Sequence, residues 1–251
     1  MTTKTYSLLG LAASLLVSAM FQPVHGQENG RAARSSSLAE RTLQYFEKTG
    51  NGDLGDYLKS IRTTGISPEQ RARLVTMIRK EDMVSPSPQR QSKLNALRPI
   101  LEYHERSAIE VKILRLGLAW AGMLEGAAVL VSEEALDILT PEELQAVVAH
   151  ELGHEYFAAE YEAARQSKQY DKVKEVELRC DALAIITLKS LGLNPSSFLS
   201  ALSRLTQFNE GRGVKNNANL VSSLEERLRF CREMMKLAEI RISKVHETAS
   251  K

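Results

Sequence analysis

Two histidines four residues apart, His150 and His154, enclose a glutamate, Glu151, in the run His-Glu-Leu-Gly-His. On a helix, residues at that spacing share one face, one turn apart and within about 5–6 Å. Two imidazoles placed this way can reach a single zinc ion at about 2.0–2.1 Å. Glu151, beside the first of them, can touch a water on that metal without being a ligand itself. The chemistry open to such a group is metal-assisted hydrolysis with a carboxylate as general base. The pattern also occurs by chance, and on a solvated helix face it amounts to two surface histidines.

The hydrolytic reading requires a firm helix over 140–156, and the sequence predicts one. Thr140 is a good N-cap, Pro141 suits the first helical position, and Glu143 stands three residues after the cap. Leu144, Val147, Val148 and Leu152 fall at helical spacing. Gly153 costs roughly 1 kcal/mol against Ala inside a helix, which points to a packing or close-approach constraint.

A second helix is predicted over 172–192, with Val176, Ala182, Ile185, Ile186 and Leu188 as its apolar stripe and Gly192 at the C-terminal cap. Glu177 and Asp181 are four apart on one face, where two acids repel unless a cation or proton donor lies between them. A solvated acidic face would also accommodate them. Leu178, Ala182 and Ile185 flank the pair, however, and a half-buried carboxylate pair calls for a metal or a histidine. Glu177 as third zinc ligand and Asp181 as partner of a ligand imidazole satisfy both groups.

The two segments together, Val147-Val148-Ala149-His150-Glu151-Leu152-Gly153-His154 and Glu177-Leu178-Arg179-Cys180-Asp181-Ala182-Leu183-Ala184, resemble the HtpX-like and CaaX-prenyl-protease-like zinc metallopeptidases. These are gluzincins, in which a Glu on a second helix is the third ligand. The resemblance runs from about residue 109 to the C-terminus and continues at Leu191-Gly192-Leu193-Asn194-Pro195 and Ser223-Leu224-Glu225-Glu226-Arg227-Leu228. There are departures. Val221 and Ser222 stand where many relatives carry His-Pro. Leu118-Ala119-Trp120-Ala121 and Glu125-Gly126 stand where relatives often show Asn-Ala-Phe-Ala and a glycine pair.

The resemblance implies an α+β, mainly helical fold, with a zincin-like core, a small sheet and the His-Glu-x-x-His helix. It implies one Zn2+ per chain, held by His150, His154 and Glu177, with Glu151 and Asp181 as the catalytic pair. In that scheme Glu151 takes a proton from the zinc-activated water and passes it to the leaving amine, while Asp181 fixes the tautomer of a ligand imidazole. Arg227 is placed to orient an acid at the site or to stabilise an oxyanion. The strand before the zinc helix, 127–131, is expected to be the sheet edge on which an extended peptide pairs, an ordinary interior strand being the other possibility.

The rest of the chain surrounds this centre. Lys4, an apolar run over 6–21 and Val24-His25-Gly26 make 1–26 an expected secretory signal; the apolar run is shorter than the ~20 residues a bilayer crossing needs, an uncleaved anchor being the other possibility. Residues 27–37 form a polar lead-in and 38–48 a short helix. A turn follows at 51–53, then a helix over 54–62. Ser67-Pro68-Glu69-Gln70 opens a further helix to about Asp82. Ser85-Pro86-Ser87-Pro88 is the boundary, so that 27–88 is a small helical appendage with linker and 89–251 the metallopeptidase domain. Within that domain a helix is expected over 91–105, with His104 as a surface or capping histidine. A half-buried strand follows at 109–116, and helices at 133–139, 155–170, 197–208 and 224–245. The Gly- and Asn-rich run 209–218 is expected to be a mobile loop. Tyr156 and Tyr161 are read as packing residues, help to an oxyanion being the other possibility for either.

The 33 basic and 31 acidic residues leave a net charge of +2, so composition makes no case for nucleic acid or an anionic membrane surface. Two cysteines exclude a disulfide-framework fold; Cys180 and Cys231, in an exported chain, are expected to pair. The function expected is a zinc-dependent endopeptidase, periplasmic or secreted, acting on peptide bonds of exported or envelope proteins, with peptides or unfolded proteins as substrates. It has no stable membrane span once the signal is removed. The competing expectation is a latent enzyme or a non-catalytic metal-binding chaperone or adaptor.

Overall fold

A computed structural model describes residues 37–49, 65–214 and 220–249. The signal expected at 1–26, the expected lead-in up to residue 36, turn at 51–53 and helix over 54–62, and the last part of the 209–218 run (215–218), lie outside the described residues. Mainly helical, with one small mixed sheet, the molecule has the α+β class expected from the resemblance.

Helix α1 spans Leu38–Thr49 and α2 Pro68–Thr76. The capping box at Ser67 forms as expected, Ser67 accepting from the Gln70 amide and Gln70 from that of Ser67. A 3-10 turn, Lys80–Asp82, leads into a two-residue strand, β1 (Met83–Val84), too short for any periodicity to predict it. The single helix expected over 91–105 is two, α3 (Pro88–Asn95) and α4 (Arg98–Tyr103). Pro99 has no amide hydrogen for a continuous helical ladder, so the chain breaks at Ala96 and Leu97.

Strands β2 (Glu110–Leu114), β3 (Ala121–Leu124) and β4 (Ala128–Ser132) complete a sheet of order β1-β2-β4-β3. β4 is parallel to β2 and antiparallel to β3. This corrects the edge assignment: the strand expected at 127–131 is interior, and the edge on that side of the sheet is β3. The physical reason stands in the residues themselves. Val129 and Val131 face one core cluster and Ala128 and Leu130 another, so β4 is covered on both faces, and a strand buried on both faces is an unbroken apolar run.

Helices α5 (Glu133–Ile138), α6 (Pro141–Tyr156), α7 (Ala158–Gln166), α8 (Tyr170–Ser190), α9 (Ser196–Glu210) and α10 (Leu224–Ala249) follow. The helix expected over 155–170 is interrupted at both ends, by Phe157 between α6 and α7 and by Lys168 at φ 56° before α8. α6 is the centre of the fold, buried from Glu143 to Gly153 and packed against α8, α9 and β3. Ala39, Leu43 and Phe46 of α1 belong to the same core as Leu144, Val148 and Leu152 of α6. Leu74 and Val75 of α2 cover the opposite face of the sheet, against Leu114, Leu124 and Leu130.

Candidate metal centre

The site is built on two helices that approach closely. α6 opens with the capping box expected from the sequence: Thr140 accepts from the Glu143 amide, and the Glu143 carboxylate accepts from that of Thr140. A firmly started helix keeps the registry of residues two and three turns later, where His150, Glu151 and His154 lie. Gly153 lets α8 come near. A Cβ at Gly153 would stand 3.0 Å from both Cα and Cβ of Cys180 and 3.2 Å from its sulfur. The cost of glycine in mid-helix is therefore met by contact between the two helices that carry the acid and base groups.

That approach brings together the residues predicted from sequence. Nε2 of His150 lies 3.7 Å from one Glu177 oxygen, and Nε2 of His154 lies 3.7 Å from the other. Ligands at 2.0–2.1 Å around a tetrahedral zinc are separated by about 3.4 Å, so the three groups fit one ion with little adjustment. Ligand atoms of His150, Glu151 and His154 also lie within 4.8 Å of one another. Both carboxylates thus border the same point. The two Glu177 oxygens straddle the imidazole nitrogens, one to each, with Glu151 beside them, so that Glu177 could serve as a third ligand.

Electrostatics agree with a cation here. Burial lowers the pKa of His150, against the pull of Asp181. Burial and the Arg227 charge bring His154 down to about 4. Both rings are therefore neutral near pH 7, as metal ligands must be. Burial raises Glu151 well above the ordinary carboxylate range, and the Glu177 charge adds to it. Glu177 is raised by burial as well. Two buried carboxyls held above their usual range are a pair that a divalent ion would stabilise.

The supports of the two imidazoles differ. Nδ1 of His150 lies 2.8 Å from Oδ1 of Asp181, which is wholly buried. Arg227, reaching over from α10, donates from Nε to Oδ2 of Asp181 at 2.9 Å and from Nη2 to Oδ1. Burial would raise Asp181, but Arg227 and His150 hold it below its usual value. Arg227, left open by the sequence between an acid-orienting and an oxyanion role, here grips Asp181 while its side chain also lines the cleft. Nδ1 of His154 instead faces the Cys180 sulfur at 3.7 Å. The expected Cys180–Cys231 bridge is absent: both are free, buried thiols, and Cys180 is turned toward the histidine.

Some neighbours were not foreseen. Phe198 of α9 stacks on His150 at 5.8 Å with planes 25° apart; its place on the apolar face of α9 was legible, but not the ring it would meet. Tyr161 stands edge-on to His154 at 5.5 Å. His104 is fully buried rather than at the surface, bonded through Nδ1 to the Tyr156 hydroxyl and through Nε2 to Thr187. Asn209, expected to begin a loop, lies in the last turn of α9 and lines the cleft with Ala119, Ala121, Val147 and Leu202.

Residues 87–171 match the model of Peptidase family M48. The matched stretch begins at Ser87, the N-cap of α3, contains His150, Glu151 and His154, and ends before Glu177. None of the curated proteins compared with the chain matches it.

Proposed function

Because the chain belongs to peptidase family M48, a family of zinc metallopeptidases, we propose that it is a zinc-dependent endopeptidase of exported or envelope proteins. The observation that carries this reading is the convergence of His150, His154 and the two Glu177 oxygens, with Glu151 on the same wall. His150, His154 and Glu177 would hold one zinc ion. Zinc bound there supplies Lewis acidity and brings the pKa of a water toward about 7. Glu151, buried and adjacent, accepts the proton of the attacking water and delivers it to the leaving amine. Asp181 keeps the proton of His150 on Nδ1, so that Nε2 presents its lone pair. Arg227 keeps Asp181 ionised and in place.

An extended peptide lies along β3, the sheet edge beside α6, and pairs with it through main-chain hydrogen bonds. Export rests on the signal read at 1–26. No helix among the described residues is long and apolar enough to cross a membrane. Residues 27–88 remain proposed as a helical appendage whose role is packing, with Ala39, Leu43 and Phe46 as its anchors.

The test is digestion of unfolded casein by the chain from Gln27, with Glu151→Gln beside it and zinc content recorded. The parent should cleave, chelator should stop it, and Glu151→Gln should hold zinc without cleaving. Cleavage by Glu151→Gln at the parent rate would remove Glu151 from the mechanism. Folded protein that takes up no zinc would remove the site.

A further inference from the structure

The cleft edge is already occupied at one position by the protein itself. Asn209 accepts a hydrogen bond from the Ala119 amide at Oδ1 and donates one to the Ala119 carbonyl from Nδ2, both at 2.9 Å. Exchanging both main-chain bonds with a single residue is what a narrow pair of an antiparallel ladder does. The Asn209 carboxamide therefore imitates one residue of a strand laid on this edge. It is held there by burial at the end of α9, and by Arg212, which donates to the Gly117 carbonyl at 2.7 Å.

The alternation of the ladder shows what is left. Trp120 bonds toward β4, its carbonyl accepting from the Ser132 amide and its own amide donating to the Ser132 hydroxyl. With Ala121 opposite Val131 and Gly122 opposite Leu130, Gly122 and Leu124 continue on the Trp120 side. Ala119, Ala121 and Met123 direct their amides and carbonyls the other way, to the open edge. Of these three, Ala119 is taken by Asn209.

We propose that Asn209 is a specificity-determining residue: by filling the Ala119 position it makes an extended peptide pair its main chain with Ala121 and Met123 only. This rests on the peptidase reading above. Asn209 thus shortens the recognised stretch of substrate by one ladder position at the Ala119 end, where an antiparallel peptide would carry its more C-terminal residues.

The experiment is an N-methyl scan. Peptide substrates, each with one amide methylated, are compared by kcat/KM with the parent and with Asn209→Ala. The parent should show two sensitive positions, two residues apart, each losing about tenfold. The position two residues further toward the peptide C-terminus should be insensitive in the parent and become sensitive in Asn209→Ala. Three sensitive positions in the parent overturn the inference, and that result needs no variant to fold. An unchanged pattern in folded Asn209→Ala overturns it as well. A parent that cleaves nothing until Asn209 is removed would make the residue a latch and overturn the inference. Cleavage of neither peptides nor casein by parent or variant overturns the peptidase reading itself, and the inference with it.

Discussion

Asp181 is the residue whose surroundings most constrain its role. It is fully buried, it faces His150, and its charge is matched by one guanidinium, that of Arg227. Asp181→Asn should keep the fold but weaken zinc binding by about 10–100-fold, because the outer partner that sets the His150 tautomer loses its charge; competition with a chelator reads this directly. Arg227→Met should be worse for the fold. It leaves a buried carboxylate with no cation, a change that costs about 3–5 kcal/mol in denaturant unfolding. Arg227→Lys should recover part of that, since an ammonium keeps the charge and loses the two-pronged geometry. At this scale the sequence was highly legible. His150, Glu151, His154, Glu177 and Asp181 were named from spacing and then brought together, because i and i+4 on a helix specify a shared face without reference to the rest of the chain. Cys180, Phe198 and Asn209 were not legible as neighbours of the site, since each arrives from the packing of one element on another.

At the scale of elements, the close approach of α6 and α8 is what makes the site. Gly153→Ala should push the helices apart and cost about 1–3 kcal/mol, as overpacking of a tight contact does. Adding Cys180→Ala should not restore the loss, because the Cα and Cβ of residue 180 are themselves the 3.0 Å contacts. Equal stability of Gly153→Ala and the parent in urea titration would show that the helices can adjust without cost. The elements were largely legible where a local chemical signal exists. The capping boxes at Ser67 and Thr140 formed as read, and the bounds of α6 and α8 fell within two residues of expectation. Short strands were harder. The two residues of β1 carry no periodicity at all, and β3 is Ala-Gly-Met-Leu, whose glycine is required because the Trp120 ring lies over it.

For the whole molecule, the described helices before residue 88 pack on the two core clusters, α1 on the one and α2 on the other. Phe46 on α1 is 1% exposed and its ring stands 6.5 Å from that of Phe157, which follows α6. Phe46→Ala should therefore cost about 3–5 kcal/mol, whereas a loosely attached appendage would lose almost nothing; thermal or denaturant unfolding separates the two. Metal removal should act on the same scale. If zinc binds the folded chain alone, chelation should remove about 4 kcal/mol at a free zinc concentration of a thousand times Kd, and lower the melting temperature accordingly. A melting temperature indifferent to chelator would mean that the buried carboxyls find their balance without an ion.

From the sequence alone came the two helices and the shared faces on them, of His150, Glu151 and His154 on one and of Glu177 and Asp181 on the other, since each follows from spacing along a single helix, while the α+β class came from the resemblance. Which strand forms the edge, whether Cys180 pairs with Cys231, where His104 lies and what becomes of Asn209 were decided only by the tertiary structure. Each of those depends on what another element places opposite. The 127–131 run is equally apolar at an edge or in the interior until β3 pairs with it, and a thiol or an amide has no assigned partner until helices 26 to 90 residues away along the chain come to rest beside it.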